Sequence, residues 1–134
     1  MIAIDTNILV RYAVKDELKQ TVAATDFIGS HRCFVLKTVL LELVWVLSSP
    51  SGYGLSREHT VERIRHILGL PTVVVQDPDH VACAITWYEE GMDFADALHL
   101  SSSQELKAFA TFEKKIPKQV VKLGIKCEVI IVTV

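Results

Sequence analysis

Five short runs of apolar and β-branched residues, each separated from the next by an amphipathic stretch, constrain this chain more than any other feature. They lie at residues 1–4, 33–36, 72–75, 108–112 and 128–132. Short apolar runs bounded by polar turns read as buried strands, and the first is predicted to lie centrally in the sheet. The intervening stretches read as helices over 7–14, 17–28, 39–47, 56–68, 77–90, 93–107 and 113–123. Ser56 and Asp77 are suited to cap helices and Pro78 fits a first turn, while Gly29, Gly69, Gly91 and Gly124 follow predicted C-termini. Propensity would allow a strand at 39–47, but its leucines and the Ser48-Ser49-Pro50-Ser51-Gly52 stop favour a buried helix. The loop from there through Gly54 has the most flexible composition in the chain. Strands alternating with helices predict an α/β fold with a parallel sheet and right-handed crossovers. The length, 134 residues without an internal repeat, suits one domain able to bury its own core.

Composition narrows the classes of function. Half of the residues are hydrophobic and 22% are charged, as in an ordered globular protein. A net charge of −2 provides no global basic field of the kind a tight DNA-binding repressor uses. It leaves room for an enzyme that meets phosphates through a metal ion held by acids. Cys33, Cys83 and Cys127 are odd in number, far apart and in apolar contexts, which suits reduced core residues and a cytoplasmic location. No CxxC or Cys/His cluster suggests zinc. The N-terminus is not expected to be a signal peptide. The longest apolar stretch, 39–47, is interrupted by Glu42 and is too short to span a membrane.

The acids fall at particular places on this scaffold. Asp5 ends the first strand, where ligands bind in open α/β sheets; capping of the next helix would explain it equally. Glu42 lies a turn into the helix after strand two, and Glu113 directly follows strand four. Asp93 and Asp96, three apart, share a face at a helix start. If strands one and four are neighbours, Asp5 and Glu113 face each other across the crevice. An acid within a segment as apolar as 39–47 is expensive to bury unless paired with Arg or Lys or bound to a metal. Carboxylates crowded on one edge repel, and a hard divalent cation is the usual resolution. Asp93 reads as an acid favoured at a helix N-terminus. Thr6 and Asn7 fit either capping or contact with Asp5 and a phosphate. His99, one turn beyond Asp96, has no second His–carboxylate pair to make a metal site, and the other four histidines read as surface groups. Lys114, Lys115 and Lys118 read either as local phosphate attraction or as a solvated face.

The motifs Asp5-Thr6-Asn7, Glu42 within Val39-Leu40-Leu41-Glu42-Leu43, Asp93-Phe94-Ala95-Asp96-Ala97-Leu98 and Thr111-Phe112-Glu113 together resemble the PIN-domain nucleases, and among them the VapC-type toxins of toxin–antitoxin pairs. The resemblance covers essentially the whole chain, 1–134, as one PIN-like domain. It implies a five-stranded sheet in the order 3-2-1-4-5, in agreement with the switch-point placement of Asp5. It implies hydrolysis of RNA phosphodiester bonds with Mg²⁺ or Mn²⁺, and it matches Asp5, Glu42 and Asp96 to the family's acidic metal ligands. Glu113 falls where the family's fourth acid lies. That acid is usually Asp, so the longer Glu113 is a departure compatible with ligation through water. The resemblance also implies a homodimer and a small antitoxin partner that covers the active-site groove.

Other classes meet the residues less well. A haloacid-dehalogenase-type phosphatase also places an Asp after strand one, but it needs a second Asp where Asn7 stands. A receiver-like signalling module would use Asp77 as its phospho-acceptor, but it needs a further acid beside Asp5. A non-toxic PIN-fold RNA-processing nuclease is an alternative to a toxin, as is a PIN fold that acts only as a binding module, against which the intact acids argue.

Overall fold

Parallel pairing with helical crossovers is what the computed structural model shows over all 134 residues. The chain packs as two compact units, Met1–Pro78 and Asp79–Val134. The first contains β1 (Ile2–Ala3), α1 (Thr6–Val14), α2 (Leu18–Ser30), β2 (Cys33–Val35), α3 (Lys37–Ser48), α4 (Arg57–Leu68) and β3 (Val73–Val75). Its strands form one parallel sheet in the order β1-β2-β3, with Cys33 in register with both Ile2 and Val73. β2 is central and buried at Cys33 and Val35. α1 packs on α2 and α3, and α3 on α4.

The inward face of α3 is set by Leu40, Leu43, Val44 and Leu47, all buried at a spacing of three and four that lines up one stripe of a helix. Leu9 of α1 and Val61, Ile64 and Ile67 of α4 are buried as well. Each such side chain taken from water contributes roughly 1.5–3 kcal/mol. The loop after α3 is ordered despite its composition. Tyr53 N–H donates to Val46 O at 3.0 Å and Leu55 N–H to Leu47 O at 2.8 Å, so the loop folds back on the helix it leaves. Gly52 is required there, because a Cβ would collide with the Val46 carbonyl.

The second unit contains α5 (Pro78–Glu89), α6 (Phe94–Ser102), β4 (Phe109–Thr111), α7 (Lys115–Leu123) and β5 (Val129–Ile131). β4 and β5 pair in parallel with Phe109 opposite Val129. Tyr88 meets Phe94 edge to face at 5.5 Å, within a core that includes Ile85, Met92, Leu98 and Ile116. Gly124, at φ 65, closes α7 in the left-handed conformation that glycine adopts without strain.

The α/β class and parallel pairing are as expected, with differences in detail. The expected single sheet in the order 3-2-1-4-5 is not matched: the hydrogen-bonded strands form two separate runs, β1-β2-β3 and β4-β5. β1 is not a central buried strand. It is two residues long and exposed at the end of its sheet, because Asp5 already begins the turn into α1 and only Ile4 reaches the core. α2 runs through Gly29 to Ser30, past its expected stop. α6 ends five residues before the expected 107: Ser101 and Ser103 hydroxyls donate to the carbonyls of Leu98 and His99 at 3.1 and 2.7 Å, the local competition by which serine weakens helices.

Candidate active site

The four predicted acids fall two to each unit. In the first, Asp5 is the N-cap of α1 in extended conformation, and its Oδ1 accepts from Thr6 N–H at 2.8 Å. The carboxylate is exposed, so capping by one oxygen leaves the group open to solvent. Capping and a functional role are therefore compatible at this residue. Beside it the Thr6 hydroxyl is buried with no hydrogen-bond partner, a demand the protein does not itself meet. Sequence reading had no signal for this, since a threonine in a first helical turn is ordinarily solvated.

Glu42 needs a correction. It is exposed, not buried, because it lies on the far side of α3 from the Leu40–Leu43–Leu47 stripe. It forms no ion pair with Arg or Lys. Hence desolvation is no argument for a ligand there, and neither is a structural partnership an argument against one.

α1 and α2 also line an open groove of about 460 Å³, with Ile8, Ala23, Ala24 and Phe27 as its apolar wall and Asn7, Arg11 and Gln20 as its polar one. Arg11 is fixed by Gln20 Oε1 at 2.5 Å and Asp16 Oδ1 at 3.1 Å. Tyr53 hydroxyl donates to the other Asp16 oxygen at 2.9 Å, which holds the Asp16 carboxyl below its ordinary range and raises the phenol. These residues share no sequence motif, so only the fold reveals the network.

In the second unit Asp93 caps α6, and its Oδ2 accepts from Asp96 N–H at 3.1 Å. That is the helix-terminus role expected of it. Asp96 is half-buried, and its carboxyl is pushed above the usual aspartate range. Burial is the largest cause; the charge of Asp93 adds to it and that of Glu113 less so, while Lys115 and His99 act in the opposite direction. Glu113 leaves β4 with its N–H donating to Thr111 Oγ1 at 3.0 Å, and its Oε1 accepts from Lys115 N–H at 3.3 Å. Asp93, Asp96, Glu113 and Lys115 thus share one electrostatic neighbourhood.

His31, His59 and His66 are exposed as expected and His80 is half-buried, but several of them have ring or hydrogen-bond partners. His66 accepts or donates at 2.8 Å to the Tyr12 hydroxyl and stacks on that ring, His31 stacks on Phe27 at 4.1 Å, and His80 meets Glu105 at 2.8 Å. His99 is exposed too.

Within neither unit do three or more His, Cys, Asp or Glu side chains close a ready metal cage. The donors present nevertheless fit a hard cation. Every predicted ligand is a carboxylate, and no thiol or imidazole stands among them. No helix is long and apolar enough to cross a membrane. No curated protein matches the chain. The sequence profile of the PIN domain matches residues 2–121. That span holds all four acids and nearly the whole chain: the protein belongs to the PIN-domain family, a family of nucleases and thus of hydrolases.

Proposed function

We propose that the chain is a metal-dependent endoribonuclease and the toxin of a toxin–antitoxin pair, acting as a single domain over 1–134. The observation that carries this reading is the raised Asp96 carboxyl beside Asp93 and Glu113, in a chain of a nuclease family. Asp5, Glu42, Asp96 and Glu113 are the proposed holders of Mg²⁺ or Mn²⁺. When bound, such an ion lowers the pKa of a coordinated water and offsets charge on the phosphate.

The chain's own residues supply the rest. Asp5 is held in place by accepting the Thr6 N–H, so its carboxylate is presented with little rotamer freedom left to lose, while Asp96 is half-buried in the first turn of α6 beside the Asp93 cap. Exposed Glu42 and Glu113 are free to accept a proton or orient a water. No side-chain nucleophile is needed. A small antitoxin and a second copy of the chain are the proposed protein partners, and the exposure of Trp45 on α3 (61%) is compatible with a partner surface.

The test is cleavage of structured RNA by metal-stripped protein with and without Mn²⁺, beside a generic phosphatase substrate. Wild type should cleave the RNA only with metal, leave the phosphomonoester intact, and lose activity as Asp96→Asn. Expression of wild type alone should arrest growth, and that of Asp5→Asn should not. Metal-independent activity, or an active Asp96→Asn, would overturn the catalytic reading. Harmless expression of active protein would leave an RNA-processing nuclease instead of a toxin.

A further inference from the structure

Residues 114–127 hold five lysines and no acid, in a chain whose net charge is −2. Lys114, Lys115, Lys118 and Lys122 are all exposed. At about 100° per residue they fall within an arc of roughly 100° on α7 and its cap, opposite buried Ile116. None of Lys114, Lys118 and Lys122 forms a salt bridge. Two of the lysines stand at the N-terminal end of α7, where the helix dipole disfavours cations. The helix dipole therefore gives no reason for Lys114 and Lys115, though it favours Lys122 in the last turn. Solubility gives no reason either, as it needs no single-sided stripe.

The stripe also has a definite origin. Glu113, one of the proposed metal-holding acids, accepts the Lys115 N–H at its head, and the Lys115 charge reaches Asp96. Successive lysines at 114, 118 and 122 are about 6 Å apart along the axis, from a rise of 1.5 Å per residue. We infer that α7 is a track for the phosphate backbone of single-stranded RNA, running from the Asp96–Glu113 acids along Lys114, Lys118 and Lys122. The inference rests on the nuclease reading for where the strand leads, but its test does not need cleavage. Backbone contacts of this kind carry no sequence preference, so the track fixes where the strand lies and leaves the choice of bases to other groups.

The test is binding of a single-stranded RNA of about a dozen nucleotides, followed by fluorescence anisotropy across salt concentrations with the protein silenced as Asp5→Asn. Each phosphate contact contributes about 0.7 to the slope of log K against log salt for single strands. The triple variant Lys114→Gln, Lys118→Gln, Lys122→Gln should therefore flatten the slope by about 2. Between 0.05 and 0.2 M salt the parent should lose about twentyfold more affinity than the variant. The matching Lys→Arg triple should keep the parental slope, and removing Lys19, Arg32 and Lys107 as a charge control should change it little. Equal flattening by that control, an unchanged slope in the Gln triple, or no RNA binding by the parent would overturn the track. So would unchanged RNA binding accompanied by lost binding to an acidic peptide, which would make α7 a protein-docking face. Absence of cleavage by wild type with any metal would sink the nuclease reading alone, because the salt slopes are measured without it.

Discussion

Replacing Asp5 by Asn and by Ala separates its two roles. The Asp5 Oδ1 accepts the Thr6 N–H at 2.8 Å, and an Asn amide oxygen can do the same, since Asn and Asp are equivalent N-caps. Asn loses only the charge at the positive end of α1, worth about 0.3–1 kcal/mol at an exposed position. Ala loses the cap as well, at about 1 kcal/mol further. At about 2.1 cal/mol/K of unfolding entropy per residue, the 134-residue chain should lose about 3–4 °C in Tm for each kcal/mol. Asp5→Ala should thus melt about 3–4 °C below Asp5→Asn, while both should be equally inactive. Thermal melts of metal-free protein and RNA cleavage with Mn²⁺ give the two readouts. If activity survives in Asp5→Asn, Asp5 is a cap and nothing more. If activity instead follows stability across the pair, the loss is one of folding, and the site is misplaced.

Three further outcomes follow from the same geometry. The Asp96 carboxyl is raised above the ordinary 3.8, so the native state binds its proton more readily than the unfolded chain does. Stability then falls as pH rises from about 4 through the raised value and stays reduced above it. Asp96→Asn, measured by denaturant melts from pH 3 to 8, should remove that dependence and be the more stable protein at neutral pH; a less stable variant would make Asp96 a structural acid. Mn²⁺ at a hundred times its dissociation constant should add about 2.7 kcal/mol, reversed by chelator; millimolar Mn²⁺ without a shift in metal-stripped protein would count against a metal site. Glu113→Asp should retain cleavage and Glu113→Gln should lose less than Asp5→Asn, because a longer, exposed acid suits contact through a metal-bound water; loss as complete as in Asp5→Asn would make Glu113 a direct ligand.

Much of this was legible in residue order because strands and helices differ in period. The runs at 33–36, 72–75, 108–112 and 128–132 each produced a strand, shorter by one or two residues, since propensity marks a segment but hydrogen bonding trims it. Caps were legible for the same local reason: Ser56 accepts from His59 N–H at 3.1 Å, and Asp93 does so from Asp96. What failed was inference about burial from neighbours along the chain. Glu42 sits among apolar residues yet faces away from them, and Ile2 and Ala3 form a strand yet stay exposed. An apolar window reports only that some face is buried; the helical stripe of Leu40, Leu43 and Leu47 decides which one. The Arg11–Asp16–Tyr53 network and the Tyr12–His66 stack join residues up to 54 positions apart, and no local pattern announces them. The acids themselves were named from motif spacing, and the partial burial of Asp96, which raises its carboxyl, is the feature that structure adds.

The central proposal is that Asp5, Glu42, Asp96 and Glu113 are divalent-ion ligands of an enzyme that cuts RNA. Calorimetric titration of Mn²⁺ into metal-stripped wild type, Asp5→Asn, Asp96→Asn and the double variant tests it most directly. The proposal predicts that each single variant loses most of the Mn²⁺ affinity and that the double variant binds no better than either. Unchanged Mn²⁺ binding by either single variant would contradict it.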